Sequence, residues 1–293
     1  MGTTAHLITV GARTHVVDDL VSRLGDLERR WTRFSATSEL SQLNSASGAV
    51  TVVEPDTFRL IASAVEGWHR TKGSYDPTVL ASMTAQGYDT SFENIGPAPT
   101  LATTIAAPGC GDIVLMPQSN AVQLPIGIAL DFGGIGKGFA ADLLCDETMS
   151  SAAASGLCVN IGGDVRVHGE APTSDGWIIG LAATAVGGNK AKRVALGDGA
   201  VCTSRTDLRT WTGPEGQRHH LLDPRTGKPT ETDMTAISVI AGSAAVAELV
   251  TKAAIVSGVA GAATYVEEFG ASALAVNTDG ALIEFGNIKD YLA

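Results

Sequence analysis

The chain is short of paired cysteines, of basic charge and of long apolar runs, and each shortage excludes a class of protein. Four cysteines (Cys110, Cys145, Cys158 and Cys202) are spread over 293 residues with no Cys-x-x-Cys pair. Neither a zinc site nor a disulfide framework follows from that spacing, and buried free thiols are expected. Lys and Arg number 20 against 31 Asp and Glu, a formal net charge of −11. Phosphate-backbone binding needs clustered basic residues, so nucleic acid is excluded as the main partner. No uninterrupted apolar stretch is long enough to span a bilayer. The N-terminus, Met-Gly-Thr-Thr, lacks a basic region followed by an apolar core, so no leader is expected and a cytoplasmic location is the simplest reading. Internal repeats, linkers and low-complexity segments are also missing. What remains is a chain with 44% hydrophobic residues, long enough to bury a substantial core, as a soluble globular protein does.

The central stretch is Leu130-Asp131-Phe132-Gly133-Gly134-Ile135-Gly136-Lys137-Gly138-Phe139-Ala140-Ala141-Asp142. An apolar run (Ile126, Ile128, Leu130) reads as a strand ending in Asp131, followed by a glycine-dense turn and a helix with Phe139, Leu143 and Leu144 on one face. Glycines allow close backbone approach to a ligand, and a helix start offers N–H groups and a positive dipole end to an anion. A tight strand-to-helix connection with no ligand explains the same residues. Both readings stand on this stretch alone.

Periodicity places the other elements. A strand is expected at His6–Val10, and a helix from Val16 to Trp31 with Val17, Leu20, Val21, Leu24 and Leu27 at helical spacing. Ser38 can cap the turn that contains Glu39 and Leu40. Trp31 reads as core; Phe34, in a polar loop, reads either as core or as a platform for a planar ring. Glu54 to Lys72 is an amphipathic helix with Pro55 in its first turn and Gly73 as its stop. Residues 94–112 form a surface excursion, and strands follow near 113–116 and 121–124. Beyond the Phe139 helix, Leu157–Ile161 is a buried strand that Val165–Val167 continue past Gly162-Gly163-Asp164, with further strands at Trp177–Leu181 and Arg193–Leu196, and Ala200–Ser204 leads into a second polar cluster. His219 and His220 fall on opposite sides of a strand, and the Asp-Pro turn beyond makes His220 the better functional candidate. A strand at Ala236–Ala241 and a helix from Ala244 to Gly258 precede a terminal hairpin turning at Thr278-Asp279-Gly280. Glu248, Thr251 and Lys252 lie at i, i+3 and i+4, where an ordinary Glu–Lys pair is one reading.

Five segments in order, Ser38-Glu39-Leu40-Ser41-Gln42-Leu43-Asn44, Tyr75-Asp76-Pro77-Thr78, Asp131 to Gly138, Asn160-Ile161-Gly162-Gly163-Asp164 and His220 to Gly227, resemble the FAD:protein FMN transferases, the ApbE family. The resemblance covers nearly the whole chain. It implies an α+β fold, one domain over residues 1–293, with mixed and antiparallel sheets packed by helices around a cleft for FAD. It implies cleavage of the FAD pyrophosphate, attachment of FMN to a Thr or Ser of an acceptor protein, and release of AMP. By position, Met1, Phe34, Ser74, Tyr75, Asp76, Asp131, Lys137 and Leu222 are implied flavin-nucleotide contacts, with His220 and Asp131 catalytic. The Gly134 carbonyl and the helix carrying Glu248 match the family's magnesium site. There the family's Asp-x-x-x-Thr becomes Glu248-Leu249-Val250-Thr251-Lys252. A charged Lys252 cannot bind a cation, which leaves Thr251 as the substitute ligand and Lys252 as a stand-in for part of the metal's charge. A non-catalytic FAD carrier and an FAD pyrophosphatase are the alternatives to transfer.

Overall fold

The periodic segments resolve into sixteen strands and six α-helices among the described residues, 2–96, 104–185, 191–213 and 216–293 of a computed structural model. In chain order, β1 (Ala5–Val10) leads to α1 (Val16–Trp31), α2 (Glu39–Ser45), β2 (Val50–Val52), α3 (Pro55–Arg70) and α4 (Leu80–Ala85). Then come β3 (Val114–Met116), β4 (Ala121–Gln123), α5 (Gly136–Ser150), β5 (Gly156–Ile161), β6 (Asp164–Gly169), β7 (Trp177–Gly180), β8 (Arg193–Leu196) and β9 (Gly199–Arg205). Four short strands follow: β10 (Thr210–Gly213), β11 (Gly216–His219), β12 (Leu222–Asp223) and β13 (Lys228–Pro229). The chain closes with β14 (Met234–Ala241), α6 (Ala244–Glu268), β15 (Ser272–Asn277) and β16 (Leu282–Phe285). The architecture is α+β. Two compact units share the chain, the first built from Leu27–Gly134 and Thr206–Glu231, the second from Thr3–Asp26, Ile135–Arg205 and Thr232–Ala293.

In the second unit a seven-stranded sheet runs β1-β5-β6-β9-β14-β15-β16, with every pairing antiparallel. Alternation along the strands gives the sheet two buried faces. Val167, Val201, Ile240 and Leu274 pack with Trp177, Val194 and Leu196 of the β7–β8 hairpin. Cys202, one residue on from Val201, turns the other way, and its thiol donates to the Ala244 carbonyl of α6 at 3.4 Å. All four cysteines are free and buried. Val165–Val167 do not continue β5. Gly162 and Gly163, at φ 64° and 96°, reverse the chain so that β6 runs back beside it.

α1 has the expected bounds but a different buried face. Val16, Leu20, Leu27 and Trp31 are buried, while Val17 and Val21 are exposed. α6 does not end at Gly258. It bends there, at φ 66° and ψ −176°, and runs on to Glu268, with Asp233 Oδ1 accepting from the Val259 N–H at 2.8 Å. By length and composition α6 qualifies as a bilayer-crossing helix, contrary to the sequence reading, but most of its apolar stretch is buried inside the fold. It is a core helix of the second unit.

In the first unit, α3 begins at Pro55, whose missing N–H costs nothing at a helix start, and buries Phe58, Leu60, Ile61, Ala64 and Val65. Ser38 caps α2 by accepting from the Ser41 N–H at 3.0 Å. Trp31 is core, donating from its indole to Thr57 at 2.9 Å. β4 sits between β2 and β3 in a small antiparallel sheet, and β10–β11 and β12–β13 are hairpins. The segment before Asp131 is not a strand, and Ile126 is exposed. Leu130 is held instead by one side chain: Asn44 accepts from its N–H at 2.8 Å and donates to its carbonyl at 2.9 Å, as a neighbouring strand would.

Candidate functional site

In the first unit the Asn44 clamp places Asp131, whose own N–H donates to the Pro77 carbonyl at 2.7 Å. One Asp131 oxygen accepts from the Gly133 N–H at 2.6 Å. The other accepts from Arg33 Nε at 2.8 Å, and both side chains are about nine-tenths buried. Arg33 also donates to the Tyr88 carbonyl at 2.7 Å. Its guanidinium lies over two rings, 4.4 Å from the centre of Phe34 and 4.7 Å from that of Tyr88. Tyr88 packs in turn with Met83, Trp211 and Leu222. Phe34 remains 45% exposed, which decides against a core role.

The 74–78 turn is the second polar group of this unit. Asp76 Oδ1 accepts from the N–H and hydroxyl of Thr78 at 2.8 and 2.6 Å, and Oδ2 from the Trp68 indole at 3.0 Å. Burial raises the Asp76 pKa above the ordinary carboxylate value, and the bonds from Thr78 and Trp68 offset only part of that. The Tyr75 ring is buried, and its N–H donates to the Thr71 hydroxyl at 3.1 Å; the Ser74 N–H donates to the Thr71 carbonyl at 3.1 Å.

His220 sits in the bend between β11 and β12, half-buried; the strand ends at His219, so the two rings do not straddle a strand as expected. His219 Nδ1 accepts from the Leu221 N–H at 3.3 Å, and burial lowers its pKa, with a backbone hydrogen bond to Thr230 offsetting part of that. Beyond it, Asp223 accepts from the N–H and guanidinium of Arg225, all at 2.9 Å, which fixes the Asp-Pro turn. Gly227 closes that turn at φ 66°, where a Cβ would stand 1.9 Å from the Ile105 carbonyl oxygen. Met1 lies outside the described residues.

In the second unit a charged cluster joins two helix starts to the sheet. Lys137, in the first turn of α5, donates to Asp164 on β6 and to Glu248 on α6. Glu248 is fully buried, and its second oxygen accepts from the Gly138 N–H at 2.8 Å. Asp164 also accepts from the Thr203 N–H at 3.3 Å. Lys252 does not pair with Glu248 on their shared helix face. Its ammonium donates to Ser204 at 2.9 Å and to Thr251 at 3.3 Å. The Thr251 hydroxyl donates to the Glu248 carbonyl at 2.6 Å and lies 2.7 Å from Ser204 Oγ. Burial disfavours the Lys137 ammonium, but Asp164 and Glu248 outweigh it and hold its pKa above the ordinary lysine value. Burial also disfavours the Asp164 carboxylate, and Lys137 and Lys252 together bring its pKa below normal. For Lys252 burial prevails, with partial relief from Glu248.

These residues do not fit the magnesium ion that the resemblance implies. Among the described residues no three His, Cys, Asp or Glu side chains gather as a ligand set. Both Glu248 oxygens are occupied by donors, and Thr251 has an ammonium at 3.3 Å.

The sequence reading missed Arg33 and Tyr88, which link Asp131 to Phe34 and Leu222, and gave Asp164 no role of its own. Arg33 stood beside Phe34 in a polar loop, and Asp164 was the one acid of the Asn160–Asp164 turn. Each had a local signal but no visible partner.

This antiparallel sheet with two covering helices, and the smaller sheets of the first unit, define an α+β architecture already seen in crystals. The ApbE protein of Thermotoga maritima matches at a TM-score of 0.86 with 23% identity, over 100% of this chain and 96% of that one. The flavin transferase ApbE of Vibrio cholerae matches at 0.83 with 20% identity, over 100% and 96%. The chain belongs to the ApbE family, whose model matches residues 1–275. Relatives named FAD:protein FMN transferase include that of Haemophilus influenzae, 26% identical over 267 residues (85% of this chain, 76% of the relative). That of Treponema pallidum is 28% identical over 261 residues (83% and 71%).

Proposed function

We propose that this chain is an FAD:protein FMN transferase. The observation that carries the reading is the family match over residues 1–275, which takes in the five segments in order, together with relatives that bear that name. An acceptor Ser or Thr oxygen attacks the flavin-side phosphorus of FAD. A new P–O bond forms, the bridging P–O bond of the pyrophosphate breaks, AMP leaves, and the hydroxyl proton passes to a base. Phosphoryl transfer asks a protein mainly for positioning and for positive charge near the phosphate oxygens.

His220 is the proposed base, a role an imidazole suits near neutral pH. Its neighbour His219 is engaged by the backbone and leaves that role to His220. Phe34, braced by Arg33, is the proposed surface for the flavin ring, and Asp131, Asp76, Ser74, Tyr75 and Leu222 are its proposed companions in nucleotide binding. The test is incubation with FAD, a divalent cation and a protein bearing a Ser/Thr flavinylation motif, read by mass spectrometry. Covalent FMN on the acceptor with AMP in solution is expected. Free FMN and AMP without modified acceptor would make the chain a pyrophosphatase, and intact bound FAD a carrier; either result overturns the proposal.

A further inference from the structure

We infer that the carboxylate pair Asp164–Glu248 is neutralised by two side chains of this protein, Lys137 and Lys252, so that the second unit supplies with ammonium groups the positive charge a divalent ion would bring, and does not bind one. Two carboxylates and two ammonium groups share this cluster, formally a net charge of zero. Lys137 bridges both acids. The second Glu248 oxygen is held by the Gly138 N–H at 2.8 Å, so the carboxylate cannot turn toward a metal without abandoning the start of α5. Lys252 extends across the hydroxyls of Ser204 and Thr251, two neutral oxygens beside the carboxylates that could otherwise serve as ligands.

A divalent ion here would have to displace Lys137 from two anions and settle beside the ammonium of Lys252. Like-charge repulsion at about 4 Å costs several kcal/mol at the effective dielectric of such sites. Hard cations are held by several oxygens that are free to coordinate, and this cluster has none to spare.

Manganese binding to the whole protein without substrate, followed by electron paramagnetic resonance, reads the inference directly. The free Mn²⁺ signal is expected to stay undiminished up to about 1 mM metal, the weak end of carboxylate sites. Lys252→Thr removes one positive charge and adds an oxygen, and is expected to tighten Mn²⁺ binding at least about tenfold. Glu248→Gln in the Lys252→Thr background is expected to reverse that gain. Should circular dichroism show Lys252→Thr unfolded, Lys252→Gln serves in its place. Micromolar Mn²⁺ binding by the unaltered protein, abolished by Glu248→Gln, overturns the inference, as does a Lys252 variant that is folded but binds no better. These titrations contain no FAD, so a failure of flavin transfer under all conditions would strike the proposed function alone.

Discussion

Gly138 on α5 lies against the backbone of Ala244 on α6, so closely that a Cβ at 138 would stand 2.3 Å from the Ala244 carbonyl oxygen and 2.8 Å from the Ala245 nitrogen. These are backbone atoms and cannot step aside. Part of the glycine density in this stretch therefore serves helix packing. Gly138→Ala is expected to cost at least about 1–3 kcal/mol, the range for overpacking a tight core. A denaturant midpoint within error of the unaltered protein would show that the two helices can separate freely.

Beside that contact, Asp142 accepts from the N–H groups of Ala244 and Ala245 at 2.8 and 2.9 Å, and Arg166 lies 3.2 Å from the same carboxylate. Burial nevertheless dominates and raises its pKa from 3.8 to about 6, with the N–H bonds and Arg166 working against the rise. The folded state then holds a proton that the unfolded state has released between those two values. Stability from this group is full below pH 4, declines as pH rises to 6, and is level above it. The total decline is expected to reach at most about 3 kcal/mol. Asp142→Asn removes that slope, and urea unfolding from pH 4 to 7 measures it. An unaltered protein that gains stability relative to Asp142→Asn as pH rises would contradict the sign.

The Arg33–Asp131 pair is buried, so removing one partner strands the other charge. Arg33→Met is expected to lose about 3–5 kcal/mol. Arg33→Met with Asp131→Asn is expected to recover part of this, because no buried charge is then left alone. Chemical denaturation of the two variants, compared as a cycle, checks both numbers.

His220→Asn is expected to lower the rate of flavin transfer about 10²–10⁴-fold, the usual contribution of a positioned base. FAD affinity, followed by flavin fluorescence, should change by less than about threefold, below 1 kcal/mol. A variant that loses FAD binding and rate together would assign His220 to binding instead.

Legibility followed the range of the interaction. The bounds of α1, the Ser38 cap and the Pro55 start of α3 depend on residues a few positions apart, and the sequence displays them. Gly258 was visible as a break, yet Asp233 holds the next N–H and α6 resumes beyond it. The strand expected before Asp131 failed because Asn44, far away in sequence, supplies the hydrogen bonds a strand partner would have given. Glu248 and Lys252 share a helix face, where an ion pair is one reading of the sequence, but the acid is held by Lys137, 111 residues away. Periodicity cannot report such contacts, whereas the order of the five segments named the family without needing them.

The order in which the strands are made has a consequence for biosynthesis. β1 ends at Val10 and its neighbour β5 begins only at Gly156, and between β9 and β14 the chain leaves to complete the other unit. β1 must therefore wait for β5 to be made, and a polypeptide halted before Met234 would leave β9 with an open edge. Products halted there should consequently be targets for chaperones and proteases, until β14, β15 and β16 are made and cover that edge.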